Sequence, residues 1–404
     1  MGVPHERSRA EAESSDGGGR SFIAVCVGVL FCTSVWFSGT AVQPALSAAW
    51  NLGASAEAAL TTAVQLGFIS GTLLFALTNL ADRFDARDVL LVSALVAAAS
   101  NGAFALASGL PAALASRAVT GVAMAGVYPV GMKILAGWSR AGLGWRLGVM
   151  VGALTLGTAL PFLLRAMGAR FAWRVPVLTS GALCLLGGLL VRFGATIGPH
   201  GGGRVHFDPR MLVRCFAHRP FRLAALGYFG HMWELYAFWA SVAGFLAAAF
   251  ADDATWARRV PLLAFFAIAA GTAGCVVGGR WSRRVGERRV ALTSLGASGI
   301  LAALSGLGFV LPPPLLVLYV LAWGFFVVMD SAQFSALAAT HAPPGYVGTA
   351  LTVQNGLGFA LTIASIQLVA WLSAAVGWRF AFVVLALGPA LGAWATAKLP
   401  VAAA

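Results

Sequence analysis

Residues 66–90, LGFISGTLLFALTNLADRFDARDVL, decide the fold. The stretch is apolar as far as Leu80, sets Gly67 and Gly71 four apart, and then turns into three acids and two arginines within ten residues. An apolar helix of about 20 residues that stops at a cluster of charges is a bilayer crossing reaching an aqueous face. Residues 271–292, GTAGCVVGGRWSRRVGERRVAL, repeat the pattern with Gly274, Gly278 and a run of arginines.

The whole chain is built this way. Of 404 residues, 59% are hydrophobic and only 10% charged, and the mean hydropathy is +0.84. No soluble core hides that much apolar surface, which excludes soluble enzymes and disordered scaffolds. The net charge of +13 does not indicate nucleic acid, because the apolar segments leave no solvated basic face. The five cysteines are odd in number and form no CxxC pair, so they read as small hydrophobes, and no metal or other cofactor is expected.

Counting runs of about 20 apolar residues gives twelve spans: 22–45, 58–80, 89–108, 113–135, 146–166, 175–195, 223–248, 260–279, 290–310, 315–337, 348–372 and 378–397. The expected fold is an all-α polytopic membrane protein of twelve transmembrane helices in two pseudo-symmetric six-helix bundles. The expected divisions are a disordered tail (1–20), a first bundle (21–195), a linker (196–222), a second bundle (223–398) and a short tail (399–404). Within the linker, the glycines at 201–203 read as a flexible joint and the basic stretch after them as an amphipathic surface helix. With the N-terminus inside, 20 of the 27 Lys and Arg fall on the inner side, so both termini are expected in the cytoplasm. The cations are overwhelmingly Arg, which points to a high-GC bacterial source, and the expected location is a bacterial cytoplasmic (inner) membrane.

The halves also match each other. Asp82 and Arg283 follow spans two and eight, 201 residues apart, and Trp173-Arg174 and Trp378-Arg379 open spans six and twelve, 205 apart. Two like-oriented six-span units suit a carrier whose halves rock about a central site. The chain resembles the major facilitator superfamily over nearly its whole length. The family's loop motif is matched by Leu80, Ala81, Asp82 and Arg83, with Thr78 and Asp85 in place of its glycines. The second copy keeps Gly279 and Gly286 but has Arg283 for the acid. Arg117 and Gly121 match the fourth-span pattern, and Gly148, Gly152, Gly157 and Pro161 match part of the antiporters' fifth-span motif. The resemblance implies alternating access, with the glycine-bearing spans two, five and eight along the seam between halves. It also implies a gating loop in which Asp82, beside Arg83, accepts hydrogen bonds from a neighbouring helix N-terminus. WFSGTAVQP, YPVGMK and QNGLGF are similar to segments of bacterial nitrate/nitrite and cyanate carriers, yet spans two and eight lack mid-membrane arginines.

A charge at mid-bilayer costs about 3 kcal/mol on insertion scales, so an ionisable residue inside a span needs a partner, a cavity or a task. Glu234, twelve residues into span seven, reads as a proton-loading carboxyl group or as an interhelical bond. Asp330 in span ten reads as a second proton site or as a clamp on Lys133, and His231, on the Glu234 face, as a relay or an interhelical donor. Arg117 reads as an outer-interface anchor or, by the resemblance, as part of proton coupling. Lys133 either holds an anionic substrate group or snorkels to the interface. Trp36, Phe37, Gln43, Trp233, Tyr236, Trp239, Gln354 and Asn355 are the aromatics and amides expected to wall a small-molecule cavity.

There is no GxxxxGK[ST] loop for a nucleotide, so the energy has to come from a gradient. The expected function is a proton-coupled secondary carrier of a small solute, acting as a monomer in the bilayer, with solute and protons as its partners. A proton-driven drug or metabolite exporter of the same fold is the alternative. An intramembrane hydrolase built on GASG, residues 296–299, with His341 as base is the competing class.

Overall fold

The computed structural model describes residues 3–138, 143–168, 172–200, 211–343 and 346–400, and these are helices and short connections throughout. Among the described residues ten helices are long and apolar enough to cross a membrane: Ala54–Thr78, Ala86–Ala105, Leu110–Ala136, Trp145–Met167, Arg174–Gly194, Arg219–Ala249, Val260–Val285, Pro313–His341, Val347–Ala375 and Trp378–Ala397. They occupy the expected places of spans two to eight and ten to twelve. Spans one and nine are broken. Span one is Val3–Thr33 followed by the short helices Ser38–Ala41 and Gln43–Trp50, and span nine is Glu287–Ala303 followed by the 3-10 turn Ser305–Phe309. The twelve-part plan holds, but spans one and nine are not single long helices, and spans four, ten and twelve are interrupted at 125–127, at Asp330 and by the 3-10 turn Val383–Ala386.

The first helix begins at Val3, so residues 3–20, expected as a disordered tail, are helical. The segment from Glu6 to Ser14 is rich in Ala, Glu and Arg, all good helix formers, and it runs directly into an apolar helix that nucleates it. The linker's joint at 201–203 and the end of the tail at 401–404 lie outside the described residues. The basic stretch after the joint contains the short helix Met211–Ala217.

Packing follows one plan twice. Span one lies against five and six, two against four, and three against four and six. Span seven lies against eleven and twelve, eight against ten, and nine against ten and twelve. Between the halves, two packs on eleven and five on eight, each seam being the counterpart of the other. One side-chain contact recurs at the same 201-residue offset. Arg87 donates to the Ala195 carbonyl (3.3 Å) and Arg288 to the Thr396 carbonyl (3.1 Å), tying span three to six and span nine to twelve.

The glycine pairs hold each bundle together rather than the seam. A Cβ on Gly67 would stand 2.0 Å from the Ala118 carbonyl oxygen of span four, and one on Gly274 would stand 2.2 Å from the Phe325 carbonyl oxygen of span ten. Small residues let these backbones touch, where van der Waals packing drives association in lipid. Of the expected seam glycines, Gly152 in span five does face across the seam, toward Thr272 of span eight. The outward surface carries exposed Leu73, Leu74, Leu77, Leu318 and Leu391, with Trp371 and Trp394 also exposed, as a lipid-facing surface requires.

One face of the bundle gathers the span ends near both termini and the linker. There Trp138 Nε1 donates to the Thr196 carbonyl (2.7 Å), Ser21 and Thr196 share a hydroxyl bond (3.1 Å), and His218 Nδ1 lies 3.0 Å from the His341 carbonyl. This is called the terminal face below.

Candidate functional site

The two halves meet near the middle of their helices in a layer of aromatic rings. Trp36 of span one lies 5.0 Å from Phe68 of span two, 6.0 Å from Tyr236 of span seven and 5.9 Å from Phe359 of span eleven, between ring centroids. Phe68 and Phe359 face each other at 4.4 Å across the seam between spans two and eleven. Phe37 stacks on Tyr236 (6.3 Å) and meets Trp239 edge-on (6.1 Å). All six are buried. Four of them, Trp36, Phe37, Tyr236 and Trp239, come from the expected cavity wall, whereas Phe68 and Phe359 were not anticipated, since a lone Phe in an apolar span gives no signal. Gln354, also expected there, is fully buried, as is the unanticipated Gln65 of span two. Among the described residues neither amide has a hydrogen-bond partner.

Other expected wall residues lie elsewhere. Gln43 Nε2 donates to the Glu57 carbonyl (2.9 Å), on the face away from the termini, and Trp233 Nε1 donates to the Val384 carbonyl (3.1 Å) while its ring lies against Gly388 of span twelve. Asn355 is half-buried beside Gln354. Lys133 points to the loop after span two and not to the ring layer. Its ammonium bonds Asp82 (2.5 Å) and the Ala81 carbonyl, so it closes span four onto the loop after span two. Asp82 is therefore held by a lysine rather than by a helix N-terminus, and Arg83 is exposed. In the same loop Asp85 caps the helix Ala86–Ala105 and pairs with Arg87 (2.6 Å), whose hydrogen bond holds the Asp85 carboxyl below the usual carboxylate range.

The ionisable residues inside the spans form one cluster in each half. Span one breaks after Thr33, where Thr33 and Ser34 hydroxyls return to carbonyls of the preceding turn, so the Trp36 carbonyl is free of a helix. Arg117 of span four takes it, and also donates to Ser38 Oγ and Asn101 Oδ1 (3.1 Å each) with its guanidinium over the Phe104 ring (5.4 Å). It is 1% exposed, so it is a buried crosslink of spans one, three and four and not an outer-interface anchor.

The second half places Glu234 at the equivalent junction of spans seven, nine and ten. Ser298 Oγ (2.7 Å) and Trp323 Nε1 (2.6 Å) donate to its two oxygens, and the residue is 1% exposed. One turn away, His231 Nδ1 lies 2.9 Å from Asp330 Oδ1, and its Nε2 lies 3.0 Å from Ser331 Oγ. Asp330 thus pairs with His231 and not with Lys133. Ser298 is engaged by Glu234, and His341 sits on the terminal face with the Leu337 and His218 contacts, so the Ser298–His341 pair of the competing hydrolase reading does not form. The sequence singles out neither Asn101 nor Trp323, and Ser298 only as the serine of GASG, because nothing marks which hydroxyl, amide or indole meets a buried charge.

A family model described as Major Facilitator Superfamily matches residues 24–366. The chain belongs to the Major Facilitator Superfamily. A solved structure of a point mutant of the nucleoside transporter NupG superposes with a TM-score of 0.74 at 14% identity, covering 94% of this chain and 99% of that one. At that identity the likeness is one of fold. No curated protein matches the sequence. The superfamily fold makes the chain a multi-pass membrane transporter rather than an enzyme, with a small-molecule substrate and the bilayer as its surroundings. The aromatic layer occupies the contact between the two bundles.

Proposed function

We propose that the chain is a proton-coupled secondary carrier that exposes a mid-membrane site alternately to each side of a bacterial inner membrane. The observation that carries this reading is the division of polarity. The seam carries a layer of aromatic rings at mid-membrane, whereas the buried acids sit inside the second bundle, Glu234 with two neutral donors among the described residues. A carboxyl group so placed is stable in either of two charge states only if protons reach it, which suits a group that loads and unloads one per cycle. Asp330 with His231 forms the second proton site, and Arg117 stiffens the first bundle. Asp82 and Lys133 latch the terminal face, which is the cytoplasmic side, and the chain works as a monomer.

The likeness to a nucleoside transporter makes nucleosides the first solutes to try. The test is carriage itself. Purified protein in liposomes containing a pH-sensitive dye should acidify or alkalinise the lumen when a transported solute is added, and counterflow of labelled solute should saturate. Saturable counterflow without proton movement would leave a uniporter and refute the coupling.

A further inference from the structure

At the terminal face one indole ring joins the two halves. Arg280 and Arg283 of span eight both hold their guanidinium groups over Trp145 of span five, at 5.0 and 5.4 Å from the ring centroid. The arginines are three residues apart and share one side of the last turns of the helix Val260–Val285, while Trp145 stands in the first turn of the helix Leu143–Met167. Both arginines are exposed and Trp145 is half-buried. Among the described residues no carboxylate pairs with either arginine, and of the cation–ring contacts these are the two that cross between the halves.

The seam behind them is tight. Thr272 Oγ1 donates to the Gly152 carbonyl (3.0 Å), and a Cβ on Gly152 would stand 3.3 Å from the Thr272 methyl group. Gly148, one turn nearer the terminal face, looks onto the Cys275 carbonyl. Trp145 and the two arginines continue this line to its aqueous end, where two rocking bundles separate furthest when they open on that side.

The repeat makes the placement informative. Arg283 is the counterpart of Asp82 at the 201-residue offset. Asp82 is bound by Lys133 of its own half, and Asp85 and Asp88 by Arg87 and Arg192 of that half. The loop after span two is thus tied to its own bundle, and the end of span eight is what reaches across. A guanidinium stacks on a ring without needing a counter-ion. Because Arg280 and Arg283 are exposed, parting the contact returns them to water and strands no buried charge, as a contact made and broken in every cycle requires.

We infer that Trp145 with Arg280 and Arg283 is the clasp that holds the two halves together at the terminal face and sets how readily the carrier opens there. This rests on the carrier reading. Two cation–ring contacts at an exposed site together weight the closed arrangement about tenfold.

The test is the distance between spin labels on Arg83→Cys and Arg289→Cys, exposed positions at the terminal face of the first and second half, measured by electron–electron resonance on the full chain in bilayers; the five native cysteines are buried. Trp145→Leu should shift the ratio of short to long distances about tenfold toward the long one, and Arg280→Gln with Arg283→Gln should do the same. Combining all three substitutions should add nothing further, because they remove one contact, whereas Trp145→Phe, which keeps a ring, should recover part of the short population. An unchanged distribution in the double arginine variant, which alters exposed side chains alone, would overturn the inference even if Trp145→Leu fails to fold. So would full additivity of the tryptophan and arginine changes. The distances are read without any solute, so either result leaves the carrier reading standing; no counterflow of any solute in liposomes would overturn that reading and leave the distances as they are.

Discussion

Replacing Glu234 by glutamine separates coupling from folding. The carboxylate accepts from Ser298 Oγ at 2.7 Å and Trp323 Nε1 at 2.6 Å. A glutamine fits the same place: its oxygen takes the indole N–H, and its NH2 donates to the serine hydroxyl, which rotates to accept. Both bonds survive as neutral ones, a loss of about 1–3 kcal/mol against charge-assisted bonds. Removing a buried ionised group returns several kcal/mol of desolvation cost. Glu234→Gln should therefore melt within about 2 kcal/mol of wild type, whereas Glu234→Leu leaves an indole N–H and a hydroxyl unpaired, at about 1–3 kcal/mol each. Function should split differently. The amide stands in for the protonated acid and cannot release a proton, so exchange persists and gradient-driven work stops. One pH unit is worth about 1.4 kcal/mol, a tenfold concentration ratio for a one-proton carrier. In liposomes with that gradient, wild type should approach a ratio of about ten and Glu234→Gln a ratio of about one, with counterflow retained in both. A Glu234→Gln protein that builds the full ratio would refute the assignment, and one that fails to fold would refute the pocket argument.

Arg117→Gln should cost about 3 kcal/mol or more, because Ser38, Asn101 and the Trp36 carbonyl lose a charged donor together; thermal unfolding in detergent checks it. Gly324→Ala should be severely destabilising, its Cβ standing 1.7 Å from the Ala267 carbonyl oxygen. Gly296→Ala, on the helix Glu287–Ala303 with open space around it, should be neutral or gain up to about 1 kcal/mol. Asp85→Ala removes a helix cap worth about 1 kcal/mol. Since Arg87 holds the Asp85 carboxyl below its ordinary value, that contribution is complete above about pH 4 and is lost as acid protonates the folded group. A melting series from pH 7 to pH 3 should therefore show the wild-type advantage over the alanine variant vanish only at the acid end.

The crossings and their repeat were legible because run length and charge placement are set by the bilayer itself, and the 201-residue offset of Asp82 and Arg283 reappears in the Arg87 and Arg288 contacts. The scarcity of ionisable residues inside the spans also showed which ones to follow. Their partners were not legible. Lys133 takes Asp82, 51 residues away, over Asp330, because the choice depends on which helix ends share a face of the membrane. Trp233 and Tyr236 are one turn apart on a helix that touches both span eleven and span twelve, so helical phase alone could not send one to each. The glycine pairs had the right spacing for close packing, but spacing does not name the neighbour. The break in span one, which creates the Arg117 site, carries no proline at Thr33–Phe37 and is stabilised by hydroxyls returning to the backbone.

Placing each buried charge within one bundle has a mechanical consequence. Among the described residues the three ion pairs, Arg87–Asp85, Lys133–Asp82 and Arg192–Asp88, and the His231–Asp330 contact each join residues of the same half. Arg117, through its two terminal nitrogens, and Glu234 bond at equivalent three-helix junctions to neutral groups of their own half. What crosses the seam is weaker: single neutral bonds from Gln367 to Thr62 and from Thr272 to the Gly152 carbonyl, ring contacts, and Arg280 and Arg283 over Trp145 at 5.0 and 5.4 Å. Such bonds are worth about 1 kcal/mol each and such cation–ring contacts about 0.5–1. Had a buried ion pair spanned the halves, parting them would strand two charges at about 3–5 kcal/mol. The bundles can therefore part as stiff bodies against a seam of ring contacts and single neutral bonds.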